Sequence, residues 1–377
     1  MKNLNILIYT IFLISSILKY YAISKTYIQE IASYCIIFIS IYFILTYSSQ
    51  IRTKLTRTAF LYLLALSLSG IYIYDGLTFA NFINSLLFPL LFLTSYIFFK
   101  KYPQYIVVMK YLGIILLILS YYNLLRLSGM ANERTSVTIQ SNAGNSVVSL
   151  LPFAFLWKNK FVKYAFIIVV FFGCLIALKR SAFVIFILVL FTYLLLRKKT
   201  NIYKGIIVYS TVIVLGGTML LPRIESAERM IERLEGTAED GGSGRNKLAA
   251  RCMEYQLKND FPEWIIGKGY LSFSKESATH GHFNTGAHND ITEILYAHGI
   301  VAYILFLLIQ WHLFKYIAKK RDKEHCMLVP LATCFVTFVM ANLLVGPSVH
   351  FWYYLPMYCL FGGSCSLIDK PQKELLV

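Results

Sequence analysis

The chain has 377 residues, of which 57% are hydrophobic and only 15% are charged, and its mean hydropathy is +0.60. Soluble globular domains carry about 25% charged residues, so this composition excludes that class and indicates a membrane protein. The net charge of +17 does not indicate nucleic-acid binding, because the basic residues flank apolar segments and no aromatic-basic motif accompanies them.

Apolar segments of membrane-spanning length recur from one end of the chain to the other. A hydrocarbon core of ~30 Å needs roughly 20 apolar helical residues. The pattern predicts an all-α polytopic membrane protein with about twelve transmembrane helices, at 4–18, 28–47, 59–74, 80–99, 105–122, 143–157, 162–178, 181–196, 202–221, 291–314, 326–345 and 350–368. The sixth and eighth are short, and one of them is a candidate re-entrant segment.

The distribution of basic residues supports this count. Cytoplasmic connections are enriched in Lys and Arg, and such clusters fall on every second connection: Lys2, Arg52/Lys54/Arg57, Lys100/Lys101, Lys158/Lys160/Lys163, Arg197/Lys198/Lys199/Lys204, Lys315/Lys319/Lys320/Arg321/Lys323 and Lys370/Lys373. Twelve spans with both termini in the cytoplasm satisfy all of them. The predicted organisation is nine spans in 1–221, a large outer loop in 222–290 with amphipathic helices, and three spans with a cytoplasmic tail in 291–377.

The outer loop contains two predicted helices. In 223–236, apolar residues recur at helical spacing. A second helix starts near Arg245, after a glycine-rich turn in which Ser243 is a candidate N-cap. Leu248, Cys252 and Tyr255 form its apolar stripe, and Arg245 lies on the same stripe. Arg245 there either meets an anion at the helix N-terminus or snorkels and pairs with a loop carboxylate, and the periodicity favours neither.

FPEWIIGKGY (261–270) is predicted to end this helix at Pro262 and to continue into a Gly267–Gly269 turn. The lone GxG indicates a turn rather than a nucleotide site. Three histidines follow, His280, His282 and His288. Their spacing is a weak metal signal, and no metal or other cofactor is predicted.

Lys179 and Arg180 break the charge pattern, because the twelve-span arrangement puts them on the outer side, between the seventh and eighth spans. They either snorkel to outer headgroups or hold an anionic ligand, with a lipid-linked phosphate or diphosphate as the obvious candidate. Arg180, Arg245 and His288 fall on the same side of the membrane. Two arginines beside an imidazole suit glycosyl transfer from a polyprenyl diphosphate, with the arginines offsetting charge on the leaving group and the histidine acting on the attacking hydroxyl.

Several stretches resemble the O-antigen ligase/polymerase family, bacterial membrane glycosyltransferases of the GT-C type. They are LKRSAFVIFILVL (178–190), GSGRNKLAARCMEY (242–255), IIGKGY (265–270), AHNDITEILYAHGIVAYILFLL (287–308) and, more weakly, SNAGNSVVSLLPF (141–153). The resemblance implies an inverting, metal-independent transfer from an undecaprenyl-diphosphate glycan outside the cytoplasmic membrane.

The resemblance also assigns roles to residues. It implies His288, Arg180 and Arg245 as catalytic residues. Lys179, Arg251, Asn289 and Glu293 are their neighbours and are candidates for substrate binding. Asn289 and Asp290 could cap the helix start, and Glu293 could orient His288 or bind acceptor hydroxyls. His298, deeper in the span, is expected to be a core histidine with a hydrogen-bond partner.

Three functions remain open on the sequence. An O-antigen polymerase would extend a glycan on a lipid-linked repeat unit, an O-antigen ligase would transfer the glycan to lipid A-core, and a flippase would move lipid-linked oligosaccharide without chemistry. The chain is rich in Ile, Lys, Tyr, Phe and Asn, a residue usage like that of the A+T-rich genes often found in polysaccharide clusters, and this favours the polymerase. The expected partners are the undecaprenyl-diphosphate-linked donor, a glycan acceptor and the bilayer of the inner membrane, with the active site facing the periplasm. A chain-length regulator stays open as a protein partner, and nucleic acid is not expected.

Overall fold

The computed structural model describes residues 2–21, 26–72, 76–128, 143–177, 179–196, 245–270, 272–279, 290–321, 325–344 and 354–371. This part of the chain is helical and contains no strand. Its helices are α1 (Lys2–Tyr21), α2 (Thr26–Thr46), α3 (Lys54–Leu68), α4 (Gly76–Lys101), α5 (Ile106–Ser128), α6 (143–149), α7 (Leu151–Ala154), α8 (Lys160–Ala177), α9 (Arg180–Leu196), α10 (Arg245–Leu257), α11 (Phe261–Ile266), α12 (Ser272–Thr279), α13 (Asp290–Lys320), α14 (Leu328–Leu344) and α15 (Leu355–Leu367).

The predicted fold class is confirmed as an all-α polytopic membrane protein. Seven helices in the described residues are long and apolar enough to cross a membrane, and shorter apolar helices cover 143–154, 181–196, 328–344 and 355–367. The predicted span 202–221 and the predicted amphipathic helix 223–236 lie outside the described residues. The count of twelve spans therefore stays a prediction.

α4 is the central helix of the bundle. Its residues from Leu87 to Phe99 are buried, and it packs against α2, α3 and α15. The outer faces of the bundle are apolar instead of polar. On α13, for example, residues exposed by 38–53% follow one another at helical spacing: Val301, Ile304, Leu307, Leu308, Trp311 and Phe314. An apolar stripe of this length on an outer surface is the face that a lipid-exposed helix presents.

The sixth predicted span is an interior segment. α6 and α7 are separated by a turn at Leu150, and the helical residues 143–154 are all buried. At 1.5 Å per residue these twelve residues extend only ~18 Å, which is less than the hydrocarbon core. Neighbouring helices, α5, α8, α9 and α14 among them, surround it.

One prediction about the outer loop needs correction. Pro262 does not end a helix: it lies in the first turn of the separate helix α11, where its missing N–H costs nothing. The Glu263 side chain there accepts a hydrogen bond from the Asp260 N–H (3.3 Å).

The predicted span 291–314 is present within α13, which is long and apolar enough to cross a membrane from Thr292 to Lys320. The structure adds an interruption of this helix at Gly299, whose φ and ψ are 76° and 177°.

Candidate active site

The outer loop is fastened to α13 where that helix is interrupted. The backbone N–H groups of Lys268 and Gly269 donate to the carbonyl oxygens of Tyr296 (3.2 Å) and Ala297 (2.9 Å). These carbonyls lie just before Gly299, where the helix cannot supply their usual partners. The GKG turn therefore satisfies backbone groups that the interruption leaves open.

Two glycines make this contact possible. Gly267 has a φ of 80° and Gly299 a φ of 76°, with ψ near 180° in both, a conformation that is essentially restricted to glycine. A Cβ on Gly267 would lie 2.3 Å from the Ala297 oxygen, and a Cβ on Gly299 would lie 2.3 Å from the Ile265 oxygen. The two backbones are closer than any side chain would permit.

An ionic cluster reinforces the same junction. Lys268 Nζ lies 3.2 Å from Glu276 Oε2 and 3.6 Å from Glu263 Oε2, and the Tyr296 hydroxyl donates to Glu276. These side chains connect α11 and α12 to α13. Nothing in the sequence marks Lys268 and Glu276 as partners, because oppositely charged residues eight positions apart, on separate elements, give no periodic signal.

α10 packs on this junction through the predicted apolar stripe. The helix begins at Arg245 as expected. Cys252 and Tyr255 are buried against Phe273 and Tyr296, and burial raises the pKa of the Cys252 thiol. The stripe thus holds α10, which begins with Arg245, against α12 and against the part of α13 that precedes Gly299.

His298 is the buried structural histidine that the sequence predicts. Its Nδ1 lies 2.6 Å from Ser69 Oγ, and Ser69 Oγ also donates to the Leu66 carbonyl (2.7 Å). Because the hydroxyl has one proton, we assign Nδ1 of His298 as the donor to Ser69. His298 also lines a small cavity together with Tyr62, Ser85 and Tyr270. Glu293, which is exposed by only 2%, lines this cavity as well.

Lys179 and Arg180 lie at a short helical connection, since α8 ends at Ala177 and α9 begins at Arg180. The start of α6 stands directly against this connection: a Cβ on Gly144 would lie 2.8 Å from Ala177 Cβ and 3.0 Å from Lys179 Cβ. The weakly family-like stretch 141–153 and the stretch 178–190 are therefore neighbours in space.

Asn145, the next residue of α6, was not singled out from the sequence. Its side chain is fully buried, and neither Nδ2 nor Oδ1 has a hydrogen-bond partner. The Ser181 hydroxyl, on the first turn of α9, is buried without a partner as well. Buried amides are nearly always hydrogen-bonded, and Asn145 follows Gly144, the residue that packs against Lys179, so Asn145 is a candidate polar contact near this connection. The available signal was the polar composition of the segment, in which Asn145 is accompanied by Ser146 and Ser149.

The predicted site residues are distributed as follows. Arg180 and Arg245 are the first residues of α9 and α10, Lys179 is half-buried in the α8–α9 connection, and Arg251 is half-exposed on α10. His288 and Asn289 lie outside the described residues, as do His280 and His282. The convergence of His288, Arg180 and Arg245 therefore stays a prediction. Within the described ranges, no three His, Cys, Asp or Glu residues are placed to hold a metal ion.

Comparison with known proteins supports the family that the sequence resembles. Residues 164–307 match the family model described as O-antigen ligase, and no curated protein matches the chain significantly. The matched segment runs from α8 through the predicted outer loop into α13, and it contains all seven residues predicted for the site. Together with the helical membrane fold, this match over part of the chain supports its similarity to the O-antigen ligase/polymerase family.

Proposed function

We propose that the protein is an O-antigen polymerase that transfers a glycan from undecaprenyl diphosphate to a sugar hydroxyl of a lipid-linked repeat unit. The observation that carries the proposal is the family match over 164–307, because this one segment holds both arginines and the histidine of the predicted site. The abundance of Ile, Lys, Tyr, Phe and Asn, a residue usage like that encoded by A+T-rich genes, favours polymerase over ligase within the family.

The proposed reaction is a displacement at the anomeric carbon of the donor glycan. The acceptor hydroxyl oxygen forms the new bond to that carbon while the carbon–oxygen bond to the diphosphate breaks, so the configuration inverts. His288 takes the hydroxyl proton, and undecaprenyl diphosphate leaves with the electron pair. Arg180 and Arg245 stabilise the negative charge that develops on the leaving group, the part of the transition state where fixed cations contribute most.

The described geometry is consistent with this proposal at two points. The GKG turn and the α10 stripe fasten the loop helix that starts with Arg245 to α13, the helix that follows His288. On α6, Asn145 follows Gly144, the residue that packs against the connection carrying Lys179. We include the Asn145 amide as a further contact to the glycan donor, because a sugar hydroxyl or phosphate oxygen would satisfy its unbonded polar atoms.

The test is the surface polysaccharide of a strain that lacks this gene, complemented with wild type, His288→Ala, Arg180→Ala or Arg245→Ala. A polymerase deletion removes the ladder and leaves a single repeat unit on lipid A-core, and the three variants fail to restore it. Arg57→Ala, an exposed arginine on the opposite side of the predicted topology, is the matched control and restores the ladder.

Other outcomes reject the proposal. Polymer that accumulates on its lipid carrier while lipid A-core stays bare would identify a ligase. Ladders restored by all three variants would reject the site. Purified protein separates the enzyme from a flippase, since only the enzyme releases undecaprenyl diphosphate from a lipid-linked repeat unit.

A further inference from the structure

A second cavity lies at the opposite end of the bundle from the outer loop. It measures about 240 Å³ and is formed where α3 begins and where α13 ends, against α4 and α15. Along α13 it is about 24 Å from the interruption at Gly299, counting sixteen residues to Lys315 at 1.5 Å each. The distribution of basic residues predicts that this end faces the cytoplasm.

The cavity has a cationic rim and a largely apolar floor. Lys54 from α3 and Lys315 and Lys319 from α13 line it, together with His312. Leu55, Tyr96 and Cys365 are its buried floor. Lys315 Nζ also lies 4.6 Å from the centre of the Trp311 ring, which is half-exposed on the lipid-facing stripe. The opening is therefore at the edge of the bilayer.

The three lysines keep their charge available. In the described part of the chain, none of them forms an ion pair with a carboxylate. The nearby Asp369 is bonded to Lys320 and Tyr316. Burial raises its pKa, but the hydrogen bonds from those two side chains outweigh that effect and hold the pKa below its usual value. Lys320 and Asp369 cancel, and the rim retains three positive charges.

We propose that this cavity binds the phosphate headgroup of an anionic phospholipid in the cytoplasmic leaflet, of the phosphatidylglycerol type. The lysines match the phosphate, and the apolar floor matches the glycerol and first acyl carbons. Basic pockets between spanning helices on the cytoplasmic side commonly bind such headgroups. The N-terminus of α3 adds a partial positive charge, while the C-terminus of α13 subtracts a similar one, so the lysines decide the sign.

The experiment is native mass spectrometry of the purified full-length protein with dioleoyl phosphatidylglycerol or dioleoyl phosphatidylcholine. We expect one phosphatidylglycerol to be retained in preference to phosphatidylcholine. Lys315→Gln/Lys319→Gln should weaken retention about 25-fold, because each lysine near an anionic headgroup contributes roughly a factor of five. The matched control is Lys158→Gln/Lys160→Gln, which removes two exposed charges from another connection on the same predicted side.

Each alternative outcome overturns the proposal. Equal loss in the control variant would mean that the lysines are only part of a diffuse cytoplasmic collar. Equal retention of both lipids by the wild type, which needs no variant to fold, would mean that the cavity does not select a charge. Displacement of the lipid by millimolar inorganic phosphate would identify a site for free phosphate. The charge-preserving variant Lys315→Arg/Lys319→Arg should retain phosphatidylglycerol as the wild type does. Loss of phosphatidylglycerol from this variant would exclude a site based on charge.

Discussion

Replacing Gly299 with alanine tests whether the outer loop is held on α13 by the contact between two backbones. The new Cβ would lie 2.3 Å from the Ile265 oxygen, and the residue would have to keep a φ of 76° and a ψ of 177°. Holding alanine in that conformation costs ~1–3 kcal/mol. If the turn separates, the hydrogen bonds to Tyr296 and Ala297 are lost as well, at about 1 kcal/mol each.

The expected destabilisation of the junction is therefore about 3–5 kcal/mol. Hydrogen exchange followed by mass spectrometry reads it directly, because the Lys268 and Gly269 amides are the donors of the two bonds. Their exchange should accelerate by roughly 10²-fold to 4 × 10³-fold, at 1.4 kcal/mol per factor of ten. Amides in the buried centre of α4 should not change.

Gly269→Ala is the comparison that separates strain from close contact. Gly269 also has a positive φ, 91°, but a Cβ there would lie 3.3 Å from its nearest neighbour, the Tyr72 oxygen. We expect a loss of only ~1–3 kcal/mol. Equal effects of Gly269→Ala and Gly299→Ala would contradict the role of the close approach. Wild-type exchange at Lys268 and Gly269 in the Gly299 variant would refute the docking itself.

Three further predictions follow from buried polar groups. Asn145→Leu should lower glycan transfer at least tenfold while leaving the thermal midpoint unchanged or higher, because an orphaned amide costs ~1–3 kcal/mol; a lower midpoint with full activity would contradict its role as a ligand contact. Ser69→Ala should destabilise the protein by about 1–3 kcal/mol in denaturant unfolding by leaving His298 without an acceptor, and Ser67→Ala, two residues earlier in the last turn of α3, is the control. Cys252 should resist alkylation by maleimide at neutral pH until the loop unfolds, because burial raises its pKa and keeps the thiol protonated; rapid labelling of folded protein at Cys252 would argue against the packing of α10.

Much of the helical framework could be predicted from the sequence because hydrophobic length and basic flanks are local signals. α9 spans Arg180–Leu196 where 181–196 was expected, and α14 spans Leu328–Leu344 where 326–345 was expected. The start of α10 near Arg245 was also predictable, because a glycine-rich turn precedes it in the sequence. Its buried stripe was predictable because the apolar residues recur at helical spacing.

The features that the sequence did not indicate all depend on contacts distant in the chain. A glycine within an apolar run is compatible with a continuous helix, so nothing local marks Gly299 as the end of one. The interruption forms because residues 265–269 supply the hydrogen bonds and the space that it needs. Asn145 was not identified for the same reason: its burial depends on how α6 packs among the neighbouring helices.

These contacts divide the polar groups in the part of α13 before Gly299 into two kinds. The carbonyl oxygens of Tyr296 and Ala297 bind the GKG turn, and the His298 side chain binds Ser69. The concentration of polar groups there therefore does not by itself indicate catalysis. Glu293 differs, since it is a nearly fully buried carboxyl that lines a small cavity with Tyr62 and Tyr270. Burying an ionisable group is costly, which keeps Glu293 a candidate for the substrate-binding role predicted from the sequence. In the proposed donor site, this fastening holds α10, which begins with Arg245, against α13, the helix that follows His288.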